Sequence, residues 1–295
     1  MPHNRNVHRL LHHDARISSM FPCSDPTPFL AHVRRCHNVV LPGDYHPLYC
    51  ADQAIGWVAP RYHGALVELG VHSTADGLLL PDGHDLLPLG ERMAEAGLYR
   101  PHDELFDVFT SDGRALGTID RGALPLLGLA ARGVHMNGLV RRPDGLHLWM
   151  GHRAPNKRLD PGKLDHLVAG GVCAGITPRE ALAKEAAEEA NISGTLIARA
   201  EHAGDLHYAM IRPEGLRRDV LHCFDLHLPE DFAPRPMDGE VSAFELVPIE
   251  TAFRRVRDTQ DVKFNVNLVL IDLFIRLGLF TPEAAATLRD ALSTA

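Results

Sequence analysis

The 295-residue chain lacks a long uninterrupted apolar run, which excludes a transmembrane helix of ordinary length. Its most hydrophobic stretch, LVLIDLFIRLGLF, carries Asp272 and Arg276 and is typical of a buried amphipathic helix. The first residues are polar and rich in histidine, with no apolar segment that could act as a signal peptide. We therefore expect a cytoplasmic protein with no membrane partner.

Cysteine and positive charge are also scarce. The chain has 5 cysteines, an odd number, and no C-x-x-C pair, which predicts free thiols in a reducing compartment and no zinc site. The net charge of -8 argues against a nucleic-acid partner. No repeat or low-complexity segment is found, and the 45% hydrophobic fraction argues against disorder. What remains is a folded protein long enough for two domains.

The two parts of the chain differ in pattern, with a boundary near residues 120–133. Before it, short apolar segments alternate with turn-rich stretches, which predicts an α+β accessory domain over residues 1–125. Residues 126–295 form the second predicted domain. Its predicted elements are a hairpin turning at Pro143, strands over 219–228 and 242–247, and helices over 264–278 and from Pro282.

Residues 170–192, GGVCAGITPREALAKEAAEEANI, are the most informative stretch. Thr177, Pro178 and Glu180 have the types and spacing of an N-cap, a first-turn proline and the reciprocal glutamate of a capping box. Asn191 stands where a left-handed residue commonly ends a helix. The pattern predicts a helix that begins at Pro178 and ends before Asn191.

Three glutamates recur on one face of this helix, at i, i+3 and i+4: Glu185, Glu188 and Glu189. Carboxylates this close repel one another unless a cation lies over them. Mg²⁺ or Mn²⁺ takes oxygen ligands and suits a site that also holds phosphate. The alternative is a solvated acidic helix face, because EAAEEA is ordinary surface-helix composition.

The spacing of these residues resembles the Nudix box. Gly170, the three glutamates and Ile192 fall in register, whereas Ile176, Lys184 and Asn191 replace a glutamate, an arginine and a glycine of that pattern. Ile176 cannot bind a metal, and Lys184 offers a point charge where arginine offers a planar fork. We interpret Lys184 as a subfamily variant, since a lysine-glutamate pair looks normal there.

Other segments resemble one Nudix subfamily that carries a further domain before the box. Its relatives include the Nudix part fused to thiamine pyrophosphokinase in some fungi. The segments that carry this resemblance are 29–37, 55–60, 134–140, 146–157, 161–171, 231–246 and 263–280.

The resemblance implies an α/β fold, in which a smaller α+β domain precedes a C-terminal Nudix α/β/α sandwich with a mixed sheet. It also implies cleavage of the diphosphate linkage in an organic diphosphate, with Mg²⁺ (or Mn²⁺) as cofactor. The subfamily is associated with thiamine diphosphate and its oxidised or otherwise damaged forms, which would yield monophosphates. A small-molecule diphosphate is then the expected partner, and a homodimer is compatible with the sequence.

The same resemblance assigns roles to particular residues. It implies catalytic roles for Glu185, Glu189 and Glu240, of which Glu240 is an extra ligand or a water-positioning base. The implied metal ligands are Glu185, Glu188, Glu189 and the backbone carbonyl of Ala169, and the implied substrate-binding residues are Arg153 and Lys157. For Glu240 the alternative is a plain turn acid, and for the two cations it is solvation at a strand end.

Two functions of other classes stay open at this point. Isoprenoid-diphosphate isomerases share the fold and use a cysteine and a glutamate, and Cys173 lies in the loop before the box helix. A buried structural thiol is the simpler interpretation of Cys173. Some Nudix-fold proteins are non-catalytic binding modules that have lost box carboxylates, and the three retained glutamates argue against that class.

Overall fold

The computed structural model describes residues 21–80 and 82–293. The histidine-rich segment 8–14, which the sequence pattern suggests is a surface terminus, lies outside the described residues. Within them, no helix has both the length and the apolar character needed to cross a bilayer. The cytoplasmic location stays a prediction.

The first part of the chain forms a small α+β unit. Strands β1 to β4 make a sheet in the order β2-β1-β4-β3, and β5 pairs with β6 in a separate hairpin. The elements are α1 (Thr27–Cys36), β1 (His46–Cys50), β2 (Gln53–Val58), α2 (Pro60–Glu68), β3 (His72–Thr74), β4 (Gly77–Leu80), α3 (Leu86–Glu95), β5 (Leu105–Phe109), β6 (Ala115–Asp120) and α4 (Leu124–Leu127), with 3₁₀ turns at Gly83–Asp85 and Arg121–Ala123.

The second part is built on a seven-stranded sheet. Its main path runs β11-β12-β7-β8-β13, with β10 paired to β7 and β9 to β8, and only β7 and β12 run parallel. The elements are β7 (Ala130–Arg142), β8 (Gly145–Arg153), β9 (Leu164–Asp165), β10 (Val168–Gly171), α5 (Pro178–Ala190), α6 (Gly194–Ile197), β11 (Glu201–Arg212), β12 (Gly215–Leu228), β13 (Val241–Pro248), α7 (Ile249–Asp258), α8 (Val266–Arg276) and α9 (Pro282–Leu292).

Helices cover both faces of this sheet. On one face, Phe224 and Leu226 of β12 pack in one apolar cluster with Leu182 of α5. On the other, Leu221 of β12 belongs to a cluster that includes Phe274 of α8. Alternate residues of β12 therefore face opposite layers, as strand geometry requires. The predicted α/β/α sandwich with a mixed sheet is confirmed.

Helix α1 packs on the second unit although it comes first in the chain. The ring of its Phe29 lies 4.8 Å from Phe253 of α7 and 4.9 Å from Phe280, centre to centre. Phe29 and Val33 are fully buried in the cluster shared with α7, α8 and α9. The division at residues 1–125 and 126–295 stays a prediction, and the apolar packing of α1 crosses it.

The helix caps and the hairpin turn that the sequence predicts are present at the predicted residues. Helix α5 begins at Pro178, with both hydrogen bonds of the capping box present, and Asn191 follows it in the left-handed conformation at φ 54°. The hairpin turns through Pro143 and Asp144, since Arg142 pairs directly with Gly145. The predicted strand 219–228 begins earlier, at Gly215, because its first residues pair with the end of β11.

Candidate active site

Helix α5 places its three glutamates in three different environments. Glu189 is only 6% exposed, and its carboxylate accepts a hydrogen bond of 3.0 Å from the N–H of Ala169 on β10. Glu185 is largely buried beneath β10, whereas the exposed Glu188 forms a 2.7 Å ion pair with Lys184. Of the three glutamates on this helix face, Glu189 is thus the most buried, Glu185 is intermediate and Glu188 is exposed to solvent.

Gly170 makes room for Glu185. A Cβ atom at position 170 would lie 2.2 Å from Cδ of Glu185, closer than any real contact. Only glycine therefore lets β10 run this close to the carboxylate. This explains physically why a glycine lies in register with the box glutamates.

Positive charge compensates the two buried carboxylates only in part: Lys184 lies 3.3 Å from Glu185, and Glu189 forms no ion pair among the described residues. Burial raises the pKa of Glu189 well above its ordinary range, and the hydrogen bond from Ala169 offsets this only in part. Burial also raises the pKa of Glu185, against the lowering effect of Lys184. A divalent cation between such groups would favour their charged forms, so these oxygen donors fit Mg²⁺ or Mn²⁺.

A loop from outside the box brings two further carboxylates to this point. Single carboxylate oxygens of Glu189, Asp238 and Glu240 lie within 4.8 Å of one another. The loop is fixed by the Glu240 N–H, which donates to Asp238 at 2.8 Å, and by the Glu240 carbonyl, which accepts from the Ala154 N–H at 2.9 Å. The predicted Glu240 lies here. The sequence analysis does not single out Asp238, although this carboxylate lies only two residues before Glu240 in the same turn.

The two predicted substrate-binding cations have different surroundings. The guanidinium of Arg153 is nearly buried and donates to Asp165 at 2.7 Å and to the carbonyls of Leu159 and Asp160. Lys157 forms an ion pair with Glu240. Both residues line the cavity, but Arg153 has its donors committed to the protein, so Lys157 is the one better placed to meet a ligand.

These groups surround a cavity of about 620 Å³. Ala169 lies on its wall with its N–H committed to Glu189, and its carbonyl as a metal ligand stays a prediction. Eight arginine or lysine side chains and six aspartate or glutamate side chains line the cavity, so its lining is rich in charge and slightly cationic. Such a lining suits an anionic ligand.

The accessory unit supplies part of the cavity wall, which the sequence did not reveal. Glu104, Phe106 and Arg121 lie on the lining, and Phe106 would be 2.5 Å from a Cβ atom at Gly171. The N–H groups of Ala174 and Gly175 donate to the carbonyl of Leu105 and the carboxylate of Asp107 at 2.7 and 2.8 Å. The loop before α5 is therefore fastened to the β5–β6 hairpin.

Cys173 has the surroundings of a structural thiol. Its Sγ donates to a carboxylate oxygen of Glu104 at 3.1 Å. Burial, followed by the neighbouring Glu104, raises the pKa of the Cys173 thiol to about 11. A thiol with so high a pKa is protonated near neutral pH, and Cys173 is not part of the cavity lining.

Comparison with known proteins agrees with this geometry. The profile of the NUDIX domain matches residues 131–267. "Nudix hydrolase 24, chloroplastic" of Arabidopsis thaliana is 37% identical over 279 residues, 88% of this chain and 76% of that protein. "Nudix hydrolase 20, chloroplastic" of the same plant is 34% identical over 290 residues, 90% and 77% of the respective chains.

Among solved structures, DR0079 from Deinococcus radiodurans is similar with a TM-score of 0.45 and 23% identity, over 57% of this chain and 97% of its own. The two plant proteins align with 88% and 90% of this chain, which is more than the matched domain and everything after it, so the similarity extends into the accessory unit. This chain belongs to the Nudix hydrolase family, whose members act on diphosphates and generally use divalent metals.

Proposed function

We propose that the protein is a pyrophosphohydrolase of organic diphosphates that uses Mg²⁺ (or Mn²⁺) at the carboxylates beside the cavity. The observation that carries this proposal is the convergence of Glu189, Asp238 and Glu240 within 4.8 Å. Hard divalent cations prefer such oxygen donors and leave coordination positions for phosphate oxygens. A solvated acidic helix face would not bury Glu189 or receive two carboxylates from a distant loop.

The proposed ligands come from two segments of the chain. Glu185, Glu188 and Glu189 of α5 and the carbonyl of Ala169 make one side, and the loop with Asp238 and Glu240 makes the other. When bound, a divalent metal supplies Lewis acidity toward the phosphoryl group and lowers the pKa of water. The protein's own part is to hold these carboxylates together beside the cavity, so that a metal and the diphosphate would meet there in a fixed orientation.

Two further tasks, neutralising the diphosphate and accepting a proton from water, fall to charged side chains near the carboxylates. Lys157 and Lys184 lie on the lining and can neutralise negative charge on the diphosphate oxygens. Glu240 lies on a loop beside Glu189, where its carboxylate can accept a proton from the attacking water. Attack on one phosphorus breaks the P–O–P bridge, the bridging oxygen leaves with the other phosphoryl group, and two monophosphate products form.

Glu240→Gln should lower kcat by more than it raises KM, by about tenfold to a thousandfold in kcat. The amide keeps the size of the side chain but accepts a proton poorly, so the loss falls on the transition state. Steady-state kinetics and the pH-rate profile measure both effects. An unchanged rate with an unchanged profile would reduce Glu240 to a turn residue.

Lys157→Gln is the matched control for the Glu240 variant. It removes the same ion pair while leaving the Glu240 carboxylate in place. We expect Lys157→Gln to raise KM more than it lowers kcat, because its charge meets the diphosphate in both ground and transition states. The same kinetic pattern in both variants would assign the effect to the ion pair.

For the substrate, we propose thiamine-type diphosphates, with oxidised or damaged forms preferred over intact thiamine diphosphate. The resemblance to the subfamily related to the thiamine pyrophosphokinase fusions supports this choice. Arg158 on the lining supports the preference, because it forms no ion pair among the described residues and would repel the thiazolium cation of intact thiamine diphosphate. Oxidation that removes this cation removes the repulsion. Arg158 contributes to this lining and contacts His102 at 3.4 Å.

The substrate prediction is that kcat/KM is highest for oxidised thiamine diphosphate, lower for intact thiamine diphosphate and lowest for nucleotide sugars and dinucleotides. Arg158→Gln should narrow the ratio between the two thiamine substrates, because it removes positive charge from the wall. Phosphate-product release in Mg²⁺ measures all of these efficiencies. If a nucleotide sugar or a dinucleotide is hydrolysed far faster than every thiamine derivative, the substrate assignment fails and the hydrolase assignment stands.

A further inference from the structure

A second group of metal-ligating side chains lies outside the cavity lining, on strands β11 and β12. Nε2 of His202 and Nδ1 of His222 each lie 2.8 Å from the same oxygen, Oδ1 of Asp205. All three ligand atoms lie within 4.8 Å of one another. Two imidazole nitrogens and one carboxylate oxygen thus meet at one point on the sheet surface.

A β-bulge creates this convergence. His202 and Asp205 are three residues apart, and a regular strand would point their side chains to opposite faces. The register of β11 against β12 shifts between His202 and Gly204, and Gly204 adopts φ +142°, which favours glycine. The additional residue turns the strand so that both side chains face His222, which pairs directly with Asp205.

We propose that His202, Asp205 and His222 form a binding site for a divalent transition-metal ion of the Zn²⁺ class, separate from the carboxylate site of α5. Imidazole suits Zn²⁺, whereas Mg²⁺ prefers oxygen donors alone. Three protein ligands of this kind leave a fourth, tetrahedral position for water. The two sites therefore select different ions by donor type.

The geometry needs only a small adjustment to accept the ion. Bonds of about 2.1 Å in a tetrahedron set ligand atoms about 3.4 Å apart, so each 2.8 Å contact would open by roughly half an ångström. The side chains of His202 and Asp205 are 49% and 38% exposed, which gives them room to rotate. Nδ1 of His222 is the nitrogen that faces Asp205, and its Nε2 is buried with no hydrogen-bond partner among the described residues.

Another cluster with similar donors is a poorer candidate. His135, Asp165 and His166 are all buried close together, but Asp165 already forms ion pairs with Arg153 and Lys263. A further cation there would be repelled by two buried positive charges. At the β11–β12 site, Asp205 forms no ion pair with an arginine or lysine among the described residues, and Arg132 acts on the group only from a longer distance, so the carboxylate is left to favour a cation. The expectation of no zinc site rests on cysteine spacing, and cysteine spacing cannot reveal a site made of histidine and aspartate.

The proposed ion would join the outermost strand β11 to its neighbour β12, so binding should also stabilise the fold. The test titrates the chelator-treated protein with Zn²⁺ by calorimetry in excess Mg²⁺, which competes with Zn²⁺ for the proposed carboxylate site. Co²⁺ in place of Zn²⁺ adds the visible absorption of a four-coordinate ion as a second readout. The variants are His202→Ala, Asp205→Asn and, as matched control, His207→Ala, an exposed histidine on the same strand.

We expect the wild type and His207→Ala to bind one equivalent of Zn²⁺, with a higher melting temperature in its presence. His202→Ala and Asp205→Asn should bind at least about tenfold more weakly and lose the melting shift and the Co²⁺ absorption. Both changes are at exposed side chains, so circular dichroism should show an intact fold. Equal Zn²⁺ affinity in wild type and both variants, or no Zn²⁺ binding by the wild type, would overturn the proposal.

Discussion

Glu189→Gln should lower kcat by about a hundredfold or more with little loss of fold. Glu189 is the buried member of the carboxylate group, and burial raises its pKa well above the ordinary range. An amide has the same shape and can still accept the hydrogen bond from the Ala169 N–H. It carries no charge, however, and so cannot hold a divalent cation with comparable strength.

The control for this variant is Glu283→Gln, which removes a carboxylate from the first turn of α9, outside the cavity lining. Its kcat should equal that of the wild type. Glu188→Gln should give an intermediate loss, since Glu188 is exposed and already paired with Lys184. Full Mg²⁺-dependent activity in both Glu188→Gln and Glu189→Gln would show that the site is assigned to the wrong residues.

Asp165→Asn should destabilise the protein by about 3–5 kcal/mol, the cost of leaving buried charges without their partner. Asp165 is 5% exposed and pairs with Arg153 at 2.7 Å and Lys263 at 3.0 Å. Burial alone would raise the pKa of Asp165, but the neighbouring positive charges, Lys263 foremost, hold that pKa well below its ordinary value. The carboxylate is thus charged in the folded state, and the asparagine variant leaves two cations uncompensated.

Urea denaturation measures the free energy of unfolding for this comparison. The matched control is Asp258→Asn. Asp258 forms an ion pair with Arg257, and its side chain is 50% exposed, so the variant removes the same charge at the surface. A surface pair contributes at most about 1 kcal/mol, so the control should change stability little. Equal effects of the two variants would mean that the Asp165 group contributes no more than a surface pair.

The sequence predicted the box helix well because its signals are local. Thr177, Pro178 and Glu180 interact within one turn, and Asn191 ends the helix through its own backbone conformation. Helical spacing then fixes how the three glutamates stand relative to one another. The resemblance to the Nudix box supplied the sandwich fold, which the layers around the sheet confirm.

The features that could not be predicted from the sequence depend on contacts between segments that are distant along the chain. Asp238 meets Glu189 only because the loop before β13 folds back beside α5. The wall contributed by Phe106 and Arg121 requires the accessory unit to dock beside α5, which no periodicity reveals. The bulge at Gly204 reverses the side-chain alternation on which strand prediction rests. The ion pair of Arg153 with Asp165 is a contact of the same kind, and the substrate-binding role of Arg153 stays a prediction.

The most direct test of the central proposal follows a diphosphate by ³¹P nuclear magnetic resonance in Mg²⁺ with the wild type and with Glu189→Gln. Oxidised thiamine diphosphate, intact thiamine diphosphate and a nucleotide sugar serve as substrates. We expect the wild type to replace the paired diphosphate resonances of at least one substrate by monophosphate resonances. Glu189→Gln should do so at least about a hundredfold more slowly. Diphosphate resonances that persist with the wild type, or that disappear equally fast with Glu189→Gln, would contradict it.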